Sequence, residues 1–382
     1  MRAFDAIVVG GGPAGSTCAA VLSSDGMSVA VLDRASFPRV KLCAGWLSTP
    51  VWDALERSPD SYPGGLWPWN HCHVHFGGHD HRISAKGYFI RRFEFDDWLL
   101  STSNATVIEH SAKSFERHGD EWIVDGKFRS RYLIGAGGTH CPVARALFPK
   151  KARRPVGAQE LEFEAVPEEI AATRLGCDGE PELLLHDDLS GYAWNIPKSD
   201  WLNVGCGTIN PKKVRSAWND AREFFQEQRH LPQSANEKLD HAKGHSYYLF
   251  DPTNLAGCQR NNAFSIGDSL GLAQPLTAEG ILPAIISGRK CAEAIIAGAP
   301  ASYRSRLSRH PVIRDYDLLY RLRERGSSTR DRSRASGRRI PSIPAPAFVG
   351  RLGRSAVASG FAWMFSGRPL PARVIHPLLR RL

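Results

Sequence analysis

Ala6-Ile7-Val8-Val9-Gly10-Gly11-Gly12-Pro13-Ala14-Gly15 is the stretch that sets the fold. Its apolar run reads as a short buried strand from Phe4 to Val9, and Ala14 to Leu22 reads as a helix. Gly10 permits a tight turn, Gly12 lets the backbone approach a pyrophosphate, and Gly15 lets the helix pack closely on the strand. The phosphates then face a helix N-terminus with its free N–H groups. A second strand, Val29 to Leu32, ends in Asp33, 18 residues past Gly15. That is near the spacing at which an acid meets a ribose hydroxyl, and an acid there favours a ribose without a 2′-phosphate.

A second motif lies about 250 residues downstream. Ala263 to Ile266 reads as a strand; Gly267-Asp268, Pro275 and Glu279-Gly280-Ile281 follow, and Ile281 to Ile296 reads as a helix. Asp268 suits a polyol chain. The Thr277–Gly280 turn and the helix behind it aim N–H groups at a ring that becomes anionic on reduction. Alone, this motif reads equally well as a capped helix behind an acidic loop. The pair reads as one large cofactor held at both ends.

The two motifs resemble the FAD-binding elements of flavoproteins related to para-hydroxybenzoate hydroxylase. More narrowly, the chain is similar to the geranylgeranyl reductase family. Pro38-Arg39-Val40-Lys41-Leu42-Cys43-Ala44-Gly45 resembles that family's Pro-Arg-x-Lys-x-Cys-Gly-Gly segment, and Arg92, Phe95, Asp96 and Leu99 match its Arg-x-x-Phe-Asp-x-x-Leu pattern. Gly191-Tyr192-Ala193-Trp194-Asn195-Ile196-Pro197-Lys198, with Asn203-Val204-Gly205, resembles its Gly-Tyr-x-Trp-x-Phe-Pro-Lys and Asn-Val-Gly strand pair. The resemblance covers about residues 4–300. Three positions depart from it: Gly137 stands where Asp is usual, Cys141 where Ser is usual, and Ala44 where the first Gly after the cysteine is usual.

The resemblance implies an α/β fold: a Rossmann-like FAD-binding domain interleaved with an antiparallel β-sheet substrate domain, plus a C-terminal helical tail. The expected division is 1–61 with 91–155 and 255–300 for FAD, 62–90 with 156–254 for substrate, and 301–382 for the tail. Strand-like runs at Leu161–Phe163, Leu183–His186, Tyr192–Ile196 and Leu202–Cys206 fit the second domain, as does a helix from Val214 to Gln228. The expected FAD-binding set is Gly10, Gly12, Pro13, Ala14, Gly15, Asp33, Arg34, Arg39, Arg92, Gly267, Asp268, Pro275, Gly280 and Ile281. Cys43, Tyr192 and Trp194 are expected to face substrate, which the family implies is hydrophobic and of isoprenoid type. The implied chemistry passes a hydride from reduced flavin to a carbon–carbon double bond, with a nearby acid or water supplying the proton. No second dinucleotide motif is visible, so NAD(P)H or a reduced carrier protein is the expected electron donor. The 191–197 stretch also resembles the Trp-x-Trp-x-Ile-Pro motif of flavin-dependent halogenases, without their Gly-Glu-Ser segment; a monooxygenase or halogenase is the alternative.

The segment Asn70–His81 holds five histidines, 71, 73, 75, 79 and 81, together with Cys72 and Asp80, and has the look of a metal site. A Gly77-Gly78 turn would pair Phe76 with His79 and His75 with Asp80. At most His73, His75 and Asp80 then converge, so surface strand histidines are expected and no metal is assigned.

The eight cysteines lack paired C-x-x-C spacing, which points to a reducing compartment and away from a disulfide framework. With a strand beginning by Phe4 and no apolar run of 18 residues, neither a signal peptide nor a membrane span is expected, and the expected location is the cytoplasm. The charge of +10 is lopsided. Residues 301–382 hold 18 Arg, no Lys and four acids, a surplus of +14, which leaves residues 1–300 at −4. A helix is expected around Val312–Arg325, then a flexible basic stretch from Gly326 to Arg334, then an amphipathic helix across Phe348–Phe365. Basic residues flanking Trp363 and Phe365 suit peripheral contact with an anionic membrane. No nucleic-acid partner is expected, because no recognition module accompanies the charge.

Overall fold

The computed structural model describes residues 1–148, 155–173, 179–335 and 360, and the side chains of these except Leu322 and residues 325–335. In chain order the elements are β1 (Arg2–Val9), α1 (Pro13–Ser24), β2 (Val29–Asp33), β3 (Trp46–Ser48), α2 (Pro50–Leu55), β4 (Leu66–Phe76), β5 (His79–Ile90) and α3 (Arg92–Ser101). Next come β6 (Thr106–Glu109), β7 (Phe115–His118), β8 (Glu121–Val124), β9 (Phe128–Gly135), α4 (Pro142–Leu147), β10 (Pro155–Glu164) and α5 (Pro167–Ala171). They continue with β11 (Glu182–Leu185), β12 (Gly191–Lys198), β13 (Trp201–Thr208), α6 (Val214–Glu227), α7 (Ala235–Lys238) and β14 (Lys243–Tyr248). The last are β15 (Gln259–Arg260), β16 (Ala263–Ser265), α8 (Ile281–Ile296), α9 (Tyr303–Arg309) and α10 (Pro311–Ala335).

The first sheet has the order β15-β16-β9-β1-β2-β6, with β8 and β7 added beside β9. Its centre, β16-β9-β1-β2-β6, is wholly parallel. Parallel strands covered on both faces carry continuous apolar runs, and Ala6, Ile7, Val8 and Val9 are all buried. The two sequence motifs meet on one side of this sheet. A Cβ on Gly267 would lie 2.8 Å from the Ala14 Cβ, and one on Gly288 of α8 would lie 2.3 Å from the Ala14 carbonyl oxygen. Small residues therefore let α1 and α8 approach closely across some 270 residues of sequence.

The second sheet has the order β14-β10-β13-β12-β11-β4-β5-β3. The expected sheet is antiparallel throughout; the structure corrects this at one place, because β11 runs parallel to β4. Only strands joined by a tight turn are bound to be antiparallel. Here β9, α4 and β10 intervene between β5 and β11, so the returning chain is free to add in either direction. β3, drawn from residues 46–48, adds an edge to this sheet beside β5. The β4–β5 hairpin has the expected register, with Phe76 opposite His79 and His75 opposite Asp80.

One face of β10, β12 and β13 packs on α6, through Ala193, Leu202, Val204 and Cys206 against Ala217, Trp218, Ala221 and Phe225. Strand alternation turns Glu160, Tyr192, Trp194, Asn203 and Gly205 to the opposite face, toward the first sheet. In the tail, α10 runs through Ala335, so the stretch expected to be flexible from Gly326 to Arg334 is helical. Arginine is a good helix former, and charge repulsion alone does not break a helix. The expected helix at 348–365 lies outside the described residues, Gly360 apart. Among the described residues no helix is long and apolar enough to cross a membrane.

Candidate active site

A cleft of about 1040 Å³ runs along the ends of β1 and β2. It merges with a cavity of about 140 Å³ beneath the second sheet. Lys41, Leu42, Ala158, His245, Tyr247 and Asp268 line both. Gly10, Asp33, Arg34 and Gly137 line the cleft, whereas Pro13, Arg92, Gly280 and Ile281 line the cavity.

The glycine turn fits a dinucleotide such as FAD. Gly10 has φ of +114°, and a Cβ there would lie 2.5 Å from the Ala136 carbonyl oxygen. A Cβ on Gly12 would meet only Arg39 Nη2, at 3.6 Å, so the space above the turn is open. α1 starts at this point with no side-chain cap and no acid in its first turn, leaving its N–H groups available to an anion. Asp33 braces the loop as well as lining the cleft: Oδ2 accepts from the Gly11 N–H at 2.8 Å and Oδ1 from the Ala35 N–H at 3.0 Å. Ala14, Gly15 and Gly267 lie in the packing beneath the turn. Pro275 is set apart, its carbonyl accepting from Arg323 at 3.3 Å.

Arg92 is buried and pairs with Asp96 through two bonds of 2.6 and 2.7 Å. Burial opposes its charge, but Asp96 outweighs burial and raises its pKa. Arg39 reaches Asp96 at 3.3 Å and stacks on Phe37, so Asp96 links the two arginines beside the Gly12 turn. The position where the resembled family carries Asp is Gly137, and a Cβ there would come within 3.2 Å of the Cys141 Cα. Two of the three departures from the family pattern, Gly137 and Cys141, are thus neighbours in space.

Cys43 is half-buried and lines the cavity, with Sγ accepting from the Gly45 N–H at 3.4 Å. Gly45 has φ of +71°, and a Cβ there would collide with the Ile90 carbonyl oxygen at 1.9 Å. That carbonyl accepts from Lys198 Nζ at 2.9 Å, and the fully buried Lys198 is also paired with Glu162 at 2.5 Å. Tyr192 and Trp194 both line the cavity, and their polar atoms hold the frame. The Tyr192 hydroxyl donates to the Thr277 carbonyl at 2.5 Å, fixing the turn before α8. Trp194 Nε1 donates to Asn203 Oδ1 at 2.7 Å, and Asn203 Nδ2 donates to the Cys43 carbonyl at 3.3 Å.

Four further groups line the cavity that sequence reasoning missed: Glu160, Glu279, His245 and Tyr247. Glu160 is 2% exposed, and its Oε2 has no hydrogen-bond partner. It sits beside Trp194 because Gly205, opposite both, has no side chain; a Cβ there would lie 2.3 Å from the indole and 2.7 Å from the Glu160 Cβ. Burial pushes its pKa up to about 7, against Lys41 and Lys198. Burial likewise raises Glu279 to about 7, although the Ser48 hydroxyl donates to it at 2.6 Å. His245 is lowered by burial, then by Lys41 and Arg92, to about 4 and is neutral at pH 7. The signal for Glu160 was the alternation Glu160-Leu161-Glu162-Phe163, in which the acids take the face opposite the apolar residues.

The two raised carboxyls carry a sign for stability. Each titrates at 4.5 when unperturbed and at about 7 when folded. Between those values the folded chain binds more protons than the unfolded chain, so stability falls as pH rises through the window. Glu279→Gln is expected to flatten that fall. The check is the melting temperature of flavin-free protein at about pH 5 and about pH 8, compared between variant and wild type.

Residues 8–40 match the profile of an NAD(P)-binding Rossmann-like domain. The geranylgeranyl diphosphate reductase of Rhodobacter capsulatus is 25% identical over 350 residues, covering 84% of this chain and 82% of that protein. The geranylgeranyl bacteriochlorophyll reductase-like protein of Thermoplasma acidophilum superposes with a TM-score of 0.65 at 16% identity, covering 100% of this chain and 96% of the other. A flavin-dependent brominase, Bmp2, superposes at 0.63 with 17% identity and full coverage of both chains. The Rossmann turn, the second sheet roofing a cavity and these likenesses define an FAD-dependent oxidoreductase. Within that class the chain is similar to members of the geranylgeranyl reductase family.

Proposed function

We propose that this enzyme saturates a carbon–carbon double bond of a hydrophobic, isoprenoid-type substrate, with Glu160 as the proton donor. The single observation that carries this reading is a buried carboxyl, unpartnered at Oε2 and protonated up to about pH 7, beside the apolar wall of the cavity next to the flavin cleft. Bound FAD, once reduced by NAD(P)H or a carrier protein, supplies the hydride. The chain's own groups do the rest. Leu42, Ala44, Trp46, Leu183 and Ile196 offer an apolar wall that excludes water and holds a hydrocarbon. Tyr192 and Trp194 position the Thr277 turn and the Cys43 backbone around it. Glu160 protonates the carbon opposite the one that receives hydride, and a carboxyl with a pKa near the working pH is well matched to that task.

Asp268, at the junction of cleft and cavity, is the residue placed to accept from the polyol chain of FAD. Asp268→Ala is expected to weaken flavin retention by about tenfold or more, in line with about 1.5–3 kcal/mol for a hydrogen bond to a charged group. The ratio of flavin to protein absorbance after gel filtration measures it; an unchanged ratio places the polyol contact elsewhere.

A second reading, oxygen activation on an aromatic substrate, is supported by Ile196-Pro197 in the strand that resembles the halogenase motif and by the likeness to the brominase fold. The two separate in one experiment. Chemically reduced protein is mixed under nitrogen with detergent-dispersed polyprenyl lipids and, separately, with aromatic substrates. Return of the oxidised flavin absorbance with a polyprenyl lipid supports the reduction. No return with any alkene, and turnover of an aromatic only after air is admitted, would overturn it.

A further inference from the structure

The outer face of the second sheet, away from the flavin cavity, carries a cluster with no part in the mechanism above. His75 on β4, Glu182 on β11 and His230 just after α6 converge there. The parallel β4–β11 pairing sets His73 opposite Glu182, which brings His75, two residues on, alongside the same carboxylate. α6 is closed by Arg229 in the left-handed region, and the His230 N–H donates back to the Phe225 carbonyl at 2.9 Å. Asn195 then secures the turn, donating to the His230 carbonyl at 2.9 Å and to Glu182 Oε2 at 3.3 Å.

Two imidazole nitrogens meet one carboxylate oxygen. His75 Nε2 lies 2.7 Å from Glu182 Oε1, and His230 Nδ1 pairs with the same oxygen. All three ligand atoms lie within 4.8 Å of one another. Glu182 is 1% exposed and His230 4%, so this is no solvated acidic patch. His75 Nε2 is buried and, despite its short distance from Glu182, has no hydrogen bond of good geometry. Behind the ring, Asp80 Oδ1 lies 3.9 Å from His75 Nδ1, a carboxylate on the far side of a ligating histidine. Phe224 packs edge-on against His75 at 5.0 Å and limits its rotation.

We propose that His75, Glu182 and His230 form a binding site for a divalent transition ion of the zinc class. Two neutral imidazoles and one carboxylate are a ligand set that zinc accepts, leaving one position for water. The carboxylate must turn slightly to open the pair of short contacts, and His75 then carries its proton on Nδ1, toward Asp80. The ion ties three segments distant in sequence: the β4–β5 hairpin, β11 and the turn after α6. It lies on the opposite side of the sheet from Trp194 and Glu160, so its role is to hold the roof of the cavity in place. The site does not depend on the reductase reading.

The test uses the full-length, flavin-loaded protein, stripped with EDTA and titrated with Zn²⁺ against a chromophoric chelator. The site predicts about one tight equivalent per chain and a melting temperature that rises with Zn²⁺, since an ion bound only by the folded state stabilises it. His75→Ala and His230→Ala are each expected to weaken binding by at least about tenfold with the flavin content unchanged, while His79→Ala with His81→Ala keeps the equivalent. Cobalt substitution of the wild type guards against a variant that misfolds: weak visible bands without a thiolate charge-transfer band support the site. No saturable Zn²⁺ binding by stripped wild type, an equivalent that survives in both single variants, or a cobalt–thiolate band would overturn it.

Discussion

Glu160→Gln lowers turnover by about 10²–10⁴-fold with bound flavin and substrate affinity close to wild type, the range expected when a general acid is removed. Gln fills the same space and keeps one acceptor oxygen, so the apolar cavity and the Gly205–Trp194 packing persist. What is lost is the proton. The pH profile separates this from a structural role. Burial holds the Glu160 carboxyl protonated up to about 7, and the donor must be protonated to act. Wild-type turnover therefore declines as pH rises through about 7, and the variant's residual rate loses that inflection. Rapid mixing of reduced protein with substrate at several pH values measures both. A variant with wild-type turnover, or with the same inflection, removes Glu160 from the reaction.

Gly15→Ala abolishes flavin binding and destabilises the fold by about 3 kcal/mol or more, beyond the usual range for an added methylene in a packed core. The reason is backbone, not side chain: a Cβ on Gly15 would lie 1.9 Å from the Gly10 carbonyl oxygen, and no rotamer relieves that. The loop carrying Gly10 and Gly12 must move, and with it the N–H groups facing the cleft. Gly12→Ala is the matched control. Its Cβ meets only Arg39 Nη2 at 3.6 Å, so stability is retained and any loss of flavin reports the cofactor's own need for that space. Thermal unfolding of the flavin-free proteins, with flavin stoichiometry after gel filtration, distinguishes the two. Equal melting temperatures for Gly15→Ala and wild type would show that the turn is slack.

Much of the first sheet was legible because its signals are local. A continuous apolar run, a glycine turn at fixed spacing and an acid at the end of the next strand all fall within 33 residues. The two motifs were legible as the two ends of one cofactor site, but the close packing of α1 on α8 was not, since Ala14, Gly267 and Gly288 meet only in the fold. The β4–β5 register followed from Gly77-Gly78 alone. The parallel β11–β4 pairing was not legible, because no local rule fixes the direction of a strand that returns after 90 residues or more. The same gap hid both polar clusters. Glu160 reads as one acid in an alternating strand, and its meaning comes from Gly205 and Trp194 on other strands. His75 was weighed against its neighbours His73 and Asp80, whereas the structure sets it against Glu182 and His230, which share no spacing with it.

Whether reduced flavin and Glu160 together add two hydrogens to a hydrocarbon double bond is decided by the mass of the product formed in a single turnover of reduced protein. The expected product is about two mass units heavier than the polyprenyl substrate, forms without oxygen, and forms far more slowly in Glu160→Gln. A product that forms only in oxygen and carries an oxygen atom from it, or one that carries halogen, would rule this reaction out.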